Sequence, residues 1–197
     1  MYPCLVASHT GRLHNYTYDA YLEHEASSNV KHEFLDGEIY AMAGGTIAHA
    51  VLAVNVSTSL RTQLRDKPCL VASSDLKVRV AATSLVTYPD VTVICGPVEP
   101  DPKSRDVALN PTVVVEVTSD STEDWDRAEK LTHYQQIQTL KACVLVSHRQ
   151  KLIEVVTRTS GGAWATTSAG PGQSVPVADL GAILDIDDVY SNVTLQS

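Results

Sequence analysis

The sequence predicts an α/β (α+β) protein, with one mixed β-sheet flanked by helices and an N-terminal helix and hairpin leading into it. Three observations predict it. Asp36-Gly37 separates two short alternating runs, and that dipeptide signals a hairpin because a type I′ turn needs positive φ at both central residues. Residues 111–117, Pro-Thr-Val-Val-Val-Glu-Val, form a near-continuous apolar run of the kind found in a sheet covered on both faces. That run is followed by a helical pattern and a second apolar run, an order that implies one right-handed crossover between parallel strands.

The elements follow in order. Thr17 can cap a helix running through about residue 26, with Tyr18, Tyr21, Leu22 and Glu25 at helical spacing. The hairpin occupies 31–42. Gly44-Gly45 breaks the chain, and 46–65 reads as a long helix, apolar on most of its circumference and therefore buried against the sheet. Residues 69–72, 76–81 and 85–95 are rich in β-branched residues and read as strands. A polar loop spans 96–110. After the strand at 111–117, Ser119 to Thr122 offer cap hydroxyls, with Ser121 and Asp124 in capping-box spacing, for a helix over 123–138. Strands follow at 141–147, 151–157 and 164–167. Residues 1–16 read as a loose arm, 17–190 as a single domain and 191–197 as a tail.

The chain has 197 residues, 44% of them hydrophobic and 19% charged, which fits one globular domain and excludes wholesale disorder. The net charge of −8 excludes a uniformly basic nucleic-acid-binding surface. It leaves open a local basic strip, or a cation held by carboxylates. No apolar run has the length of a membrane span, and the first residues lack a signal-peptide pattern. The four cysteines, Cys4, Cys69, Cys95 and Cys143, are far apart with mostly aliphatic neighbours and form no CxxC pair. The expectation is four unpaired thiols in a cytoplasmic protein.

Glu116 interrupts an apolar run where an uncompensated carboxylate costs several kcal/mol. It therefore points to a bound cation, an internal salt bridge or a strand end open to water. Asp90 also lies in a β-rich run. Pro89 before it cannot donate to a ladder, so that point is an edge, a strand entry or a bulge that re-aims a side chain. Asp126, Lys130 and Tyr134 share one helix face at i, i+4 and i+8. That helix starts at the C-terminal end of the Glu116 strand, where open α/β sheets place their sites. Two strand-embedded acids with a lysine from the next helix suit a hard divalent ion such as Mg²⁺, which takes oxygen ligands and keeps several waters.

These motifs resemble a known group of proteins. Pro89-Asp90 followed by Glu116 is similar to the PD-(D/E)XK nuclease superfamily. The wider pattern resembles the Uma-two family of restriction-endonuclease-like proteins: Glu33-Phe34-Leu35-Asp36-Gly37-Glu38-Ile39, His49 on a helix, Tyr88-Pro89-Asp90-Val91, 110–117 with Glu116, and Ser121-Thr122 with Asp126, Lys130 and Tyr134. The resemblance covers roughly residues 17–190. It implies a restriction-endonuclease-like core and metal-dependent DNA endonuclease activity, with Asp90 and Glu116 as ligands of Mg²⁺ (or Mn²⁺). The superfamily's Glu-x-Lys signature would put lysine at position 118, where this chain has Thr118, so Lys130 is the substitute.

The expected site is thus Asp90, Glu116 and Lys130 as catalytic residues, supported by Glu33, Asp126 and Tyr134. Glu33 has an equal alternative as an exposed hairpin residue, and His49 reads first as a capping or packing residue. The expected partners are DNA and a second copy of the chain in a homodimer. The rival reading is a catalytically inactive nuclease-fold module that acts by binding protein or nucleic acid.

Overall fold

A computed structural model describes residues 12–119 and 126–195 of the chain. Thr17 caps α1 (Tyr18–Ser27) through its hydroxyl, which accepts from the Ala20 amide at 3.2 Å. The hairpin β2 (His32–Leu35) and β3 (Glu38–Ala41) turns at Asp36 and Gly37, with φ of 47° and 87°, the left-handed pair a type I′ turn requires. Helix α2 (Ile47–Gln63) starts at the Thr46 cap. It buries one face only, Ala48, Leu52, Val56 and Leu60. That face lies against a sheet, as expected, while the apolar Ile47 and Val54 on the rest of the circumference are 87% and 61% exposed.

The expected single strand over 85–95 is two strands in two sheets. β6 (Leu85–Thr87) and β7 (Val91–Cys95) are separated by Tyr88-Pro89-Asp90. Proline supplies no amide hydrogen, so the ladder cannot pass through it. The polar loop at 96–110 also contains a hairpin, β8 (Pro100–Asp101) with β9 (Ser104–Ala108). Its turn is held where the Asp101 carboxylate accepts from the Lys103 amide and pairs with Arg79.

The architecture thus has two large mixed sheets where the sequence predicted one. The first runs β1 (Arg12–Leu13), β3, β2, β6, β5 (Lys77–Val80), β9, β8. Part of the expected loose arm is therefore a paired strand. The second runs β13 (Trp164–Ala169), β12 (Ile153–Arg158), β11 (Ala142–Val146), β10 (Val113–Val117), β7, β4 (Cys69–Ser73). β10 and β11 are parallel, as the crossover requires. β14 (Ser174–Pro176) and β15 (Ile183–Asp185) form a small hairpin, followed by α4 (Ile186–Val189); α3 (Leu131–Tyr134) closes the crossover, preceded by a π-helical turn, Asp126–Lys130. This is shorter than the helix expected to reach residue 138. The expected cap at Ser121-Thr122 lies outside the described residues.

Side-chain alternation decides what each face of β10 meets. Val113, Val115 and Val117 enter a core shared with Leu52 and Val56 of α2 and with the C-terminal hairpin. Val114 points the other way, into a second core with Val78, Val80 and Leu85 of the first sheet and Tyr134 of α3. Glu116, two residues on, shares the face of Val114. On β2, Leu35 packs against that second core, so Glu33 faces the same way. The two glutamates therefore look into the space between the sheets from opposite sides.

Cys69 and Cys95 form a disulfide, which corrects the expectation of four free thiols. Their separation of 26 residues gives no framework signal, but β4 and β7 pair antiparallel with these two residues directly opposite. The pairing also removes the thiol argument for a cytoplasmic protein. Cys143 is free and buried, and burial raises its thiol pKa; Cys4 lies outside the described residues. Among the described residues no helix is long and apolar enough to cross a membrane. Non-reducing peptide mapping should find the Cys69 and Cys95 peptides linked, and reduction should cost about 3–4 kcal/mol by loop entropy. Free alkylation of both cysteines in the unreduced, unfolded chain would contradict the pairing.

Candidate active site

Lys130 sits at the centre of a buried charge cluster. Its Nζ lies 2.9 Å from Glu33 Oε1 and 3.0 Å from Glu116 Oε1. Lys130 is 4% and Glu116 6% exposed, which for an ammonium and a carboxylate is tolerable only with partners. Tyr134 Oη donates to Glu116 Oε1 at 2.5 Å, and the Thr87 hydroxyl donates to Glu33 Oε1. Burial, and then the negative charge of Glu116, push the Tyr134 phenol well above its ordinary pKa, so it stays a protonated donor.

Four elements supply these groups. β2 brings Glu33 and β6 brings Thr87; β10 brings Glu116; the crossover brings Lys130 and Tyr134. Lys130 and Tyr134, four residues apart, both reach Glu116. The turn holding Lys130 is π-helical, a form that recurs at functional sites. The Asp126 backbone starts that turn, but its side chain lies outside the described residues.

Asp90 stands beside this cluster, held differently. β7 and β10 pair as Val93–Val113, Thr92–Val114 and Val91–Val115, so the next step opposes Asp90 to Glu116. The strand has ended there, and the Asp90 side chain takes over as acceptor: the Val117 amide donates to its Oδ2 at 2.8 Å. His49 Nε2 lies 3.2 Å from the same oxygen. Both contacts fall on Oδ2, which leaves Oδ1 without a hydrogen-bond partner in the described protein. Thr118, where the superfamily signature has lysine, is fully buried, and its Oγ1 lies 3.0 Å from His148 Nδ1. No ammonium can be supplied from that position, and the cation comes from the crossover.

Of the sequence-predicted residues, the structure brings Glu33, Glu116, Lys130 and Tyr134 into direct contact and puts Asp90 next to Glu116 along the strand register. Glu33 is a cluster residue and not an exposed hairpin position. Sequence reasoning missed two features. One is His49 on Asp90. The other is a brace behind Glu33: Glu25 of α1 accepts from the His32 amide at 3.0 Å, meets His32 Nδ1 at 2.8 Å and accepts from the Tyr88 hydroxyl. That carboxylate ties β2 to the segment leading into Asp90. Glu25 shows helical spacing in the sequence, but nothing local says what its carboxylate meets.

Among the described residues no three His, Cys, Asp or Glu side chains form a ready-made metal cluster. The donor chemistry nevertheless fits Mg²⁺, which accepts one or two carboxylates and completes its shell with water. Charge counting gives a stability test. Glu33, Glu116 and Lys130 together carry one net negative charge. Lys130→Met leaves two buried carboxylates facing each other and should cost about 3–5 kcal/mol in urea unfolding. Glu116→Gln leaves Lys130 paired with Glu33 and should cost clearly less. Equal costs, or a neutral Lys130→Met, would contradict the cluster.

Comparisons with known proteins identify the family. The family described as "Uma2: Putative restriction endonuclease" matches residues 18–186. An uncharacterised Synechocystis sp. protein, slr1290, is 34% identical over 172 residues, 87% of this chain and 90% of the relative. A second from the same organism, sll1609, is 31% identical over 139 residues, covering 67% and 78%. In fold, the chain is similar to a crystal structure of "a putative nuclease belonging to DUF820" from Anabaena variabilis. The TM-score is 0.71 at 15% identity, over 88% of this chain and 96% of that one. The match spans both sheets, the crossover and all four cluster residues, and the chain belongs to the Uma2 family of restriction-endonuclease-like proteins.

Proposed function

We propose that the protein is a metal-dependent endonuclease that hydrolyses phosphodiester bonds in DNA. The observation that carries this reading is the Glu33–Lys130–Glu116 cluster, with Asp90 beside it just before β7, opposite Glu116 in the register. Family membership supports a nuclease; metal dependence and the DNA substrate are this reading's own steps. Asp90 and Glu116 would hold Mg²⁺ or Mn²⁺, which supplies Lewis-acid polarisation of the phosphoryl group and a more acidic bound water.

The chain's own residues have separate roles. Asp90 presents Oδ1 while Oδ2 is held by Val117 and His49. Tyr134 fixes the Glu116 carboxylate by donating to Oε1. Lys130, between two carboxylates in a water-poor space, steadies negative charge that develops on the reacting phosphate and orients the attacking water. Burial strengthens that interaction because little solvent screens it. With only 15 Lys and Arg residues on a chain of net charge −8, affinity for the duplex would be modest and salt-sensitive. A homodimer would double any basic strip.

The second reading, an inactive nuclease-fold binding module, draws its support from Thr118 in the signature lysine position. Lys130 on Glu116 favours the enzyme. Supercoiled plasmid incubated with Mg²⁺ or Mn²⁺ separates the two. The wild type should nick or linearise it, chelation should stop the reaction, and Glu116→Gln, Asp90→Asn and Lys130→Met should each lower the rate by at least about 100-fold, the scale of losing one charge-stabilising group. Metal-independent cleavage, or cleavage unchanged in all three variants, would overturn the enzyme reading.

A further inference from the structure

His49 reads in the sequence as a helix-cap or packing residue, and the structure separates those roles from what its ring does. The cap is made by the main chain: Thr46 Oγ1 accepts from the His49 amide at 3.2 Å. The ring does not pack into the core. His49 heads the stripe that continues at i+3 and i+7 as Leu52 and Val56, and those two residues share one core with Val91, Val93 and Val115 of β7 and β10. The stripe therefore aims position 49 at the place where β7 stops, which is Asp90. Its Nε2 lies 3.2 Å from Asp90 Oδ2, and both side chains are largely shielded from water.

Gly45 gives independent support. A Cβ added there would come within 2.7 Å of His49 Nδ1 and 3.0 Å of its Cγ. The backbone of the preceding loop thus lies directly against the imidazole, and only a glycine leaves it room. The ring is held by the loop on one side and by Asp90 on the other.

We propose that His49 is a positioning residue of the metal site: with the Val117 amide it pins Asp90 Oδ2, so that Oδ1 is turned toward the cation. The inference rests on the metal-dependent reading above. The physical reason is rotational. A carboxylate held by a single amide can swing about χ2, whereas an amide hydrogen bond and an imidazole nitrogen at ion-pair distance, both on one oxygen, fix which oxygen faces outward. Outer partners of this kind set how well a ligand is preorganised, and their loss weakens metal binding without removing a ligand.

The test is Mn²⁺ affinity, measured by titration calorimetry on the full chain with the melting temperature recorded for every variant. Asp90→Asn should lose saturable binding. His49→Phe keeps the ring's bulk and removes the nitrogen that contacts Asp90, and should weaken Mn²⁺ by about 10- to 100-fold. His49→Gln places an amide nitrogen near the position of Nε2 and should restore most of that affinity. Gly45→Ala keeps His49 but displaces its ring, and should reproduce the weakening; it decides the matter should His49→Phe not fold. Wild-type affinity in both His49→Phe and Gly45→Ala, with Asp90→Asn still defective, would overturn the role of His49 and leave the metal reading standing. Identical behaviour of wild type and Asp90→Asn would overturn the metal reading and this inference with it.

Discussion

A single ammonium bridging a buried carboxylate, Glu116, and a largely shielded one, Glu33, is the constraint on which the rest of this structure turns. Glu33 comes from one sheet and Glu116 from the other, and Lys130 from the crossover lies about equally far from both. Removing it would leave the two carboxylates facing each other with no countercharge, at a cost of about 3–5 kcal/mol, a large part of a domain's net stability of about 5–15 kcal/mol. The ion pair therefore fixes how the sheets face each other at this end. The apolar packing of Val114, Val78, Val80, Leu85 and Tyr134 fills the space behind it.

The same end of the sheet also holds Asp90. A parallel pair, β10 and β11, ends beside an antiparallel strand that stops early, and the early stop is caused by a proline. The freed amide of Val117 takes the Asp90 side chain in place of a backbone carbonyl. One carboxylate is thus committed to the ladder by one oxygen and offers the other. The second carboxylate, Glu116, stands across from it with its Oε1 held by Tyr134 and Lys130.

Much of this was legible in the sequence, and what was not has a physical cause. Asp36-Gly37 dictated its turn because few dipeptides tolerate two positive φ values. Glu116 stood out because a charge in an apolar strand needs an explanation, and Lys130 with Tyr134 because helical spacing puts them on one face. Pro89 marks an irregularity in the sequence, but the β-branched residues on both sides do not tell a bulge from a change of sheet. The disulfide, the His49–Asp90 contact and the Glu25 brace join residues far apart in the chain. Their partners are set by register and helix orientation, which local pattern does not carry. The apolar circumference of α2 misled in the other direction, since exposed Ile47 and Val54 contribute nothing to the core.

The central claim is that Asp90 and Glu116 share one divalent cation at the edge of the lysine-bridged cluster. Anomalous diffraction at the manganese edge, from crystals soaked in Mn²⁺, addresses it directly. The account predicts one strong peak within coordinating distance of both carboxylates, with water completing the shell and Lys130 still paired with Glu33. No peak there, with Lys130 still bridging Glu33 and Glu116 and Asp90 bound only to Val117 and His49, would contradict it.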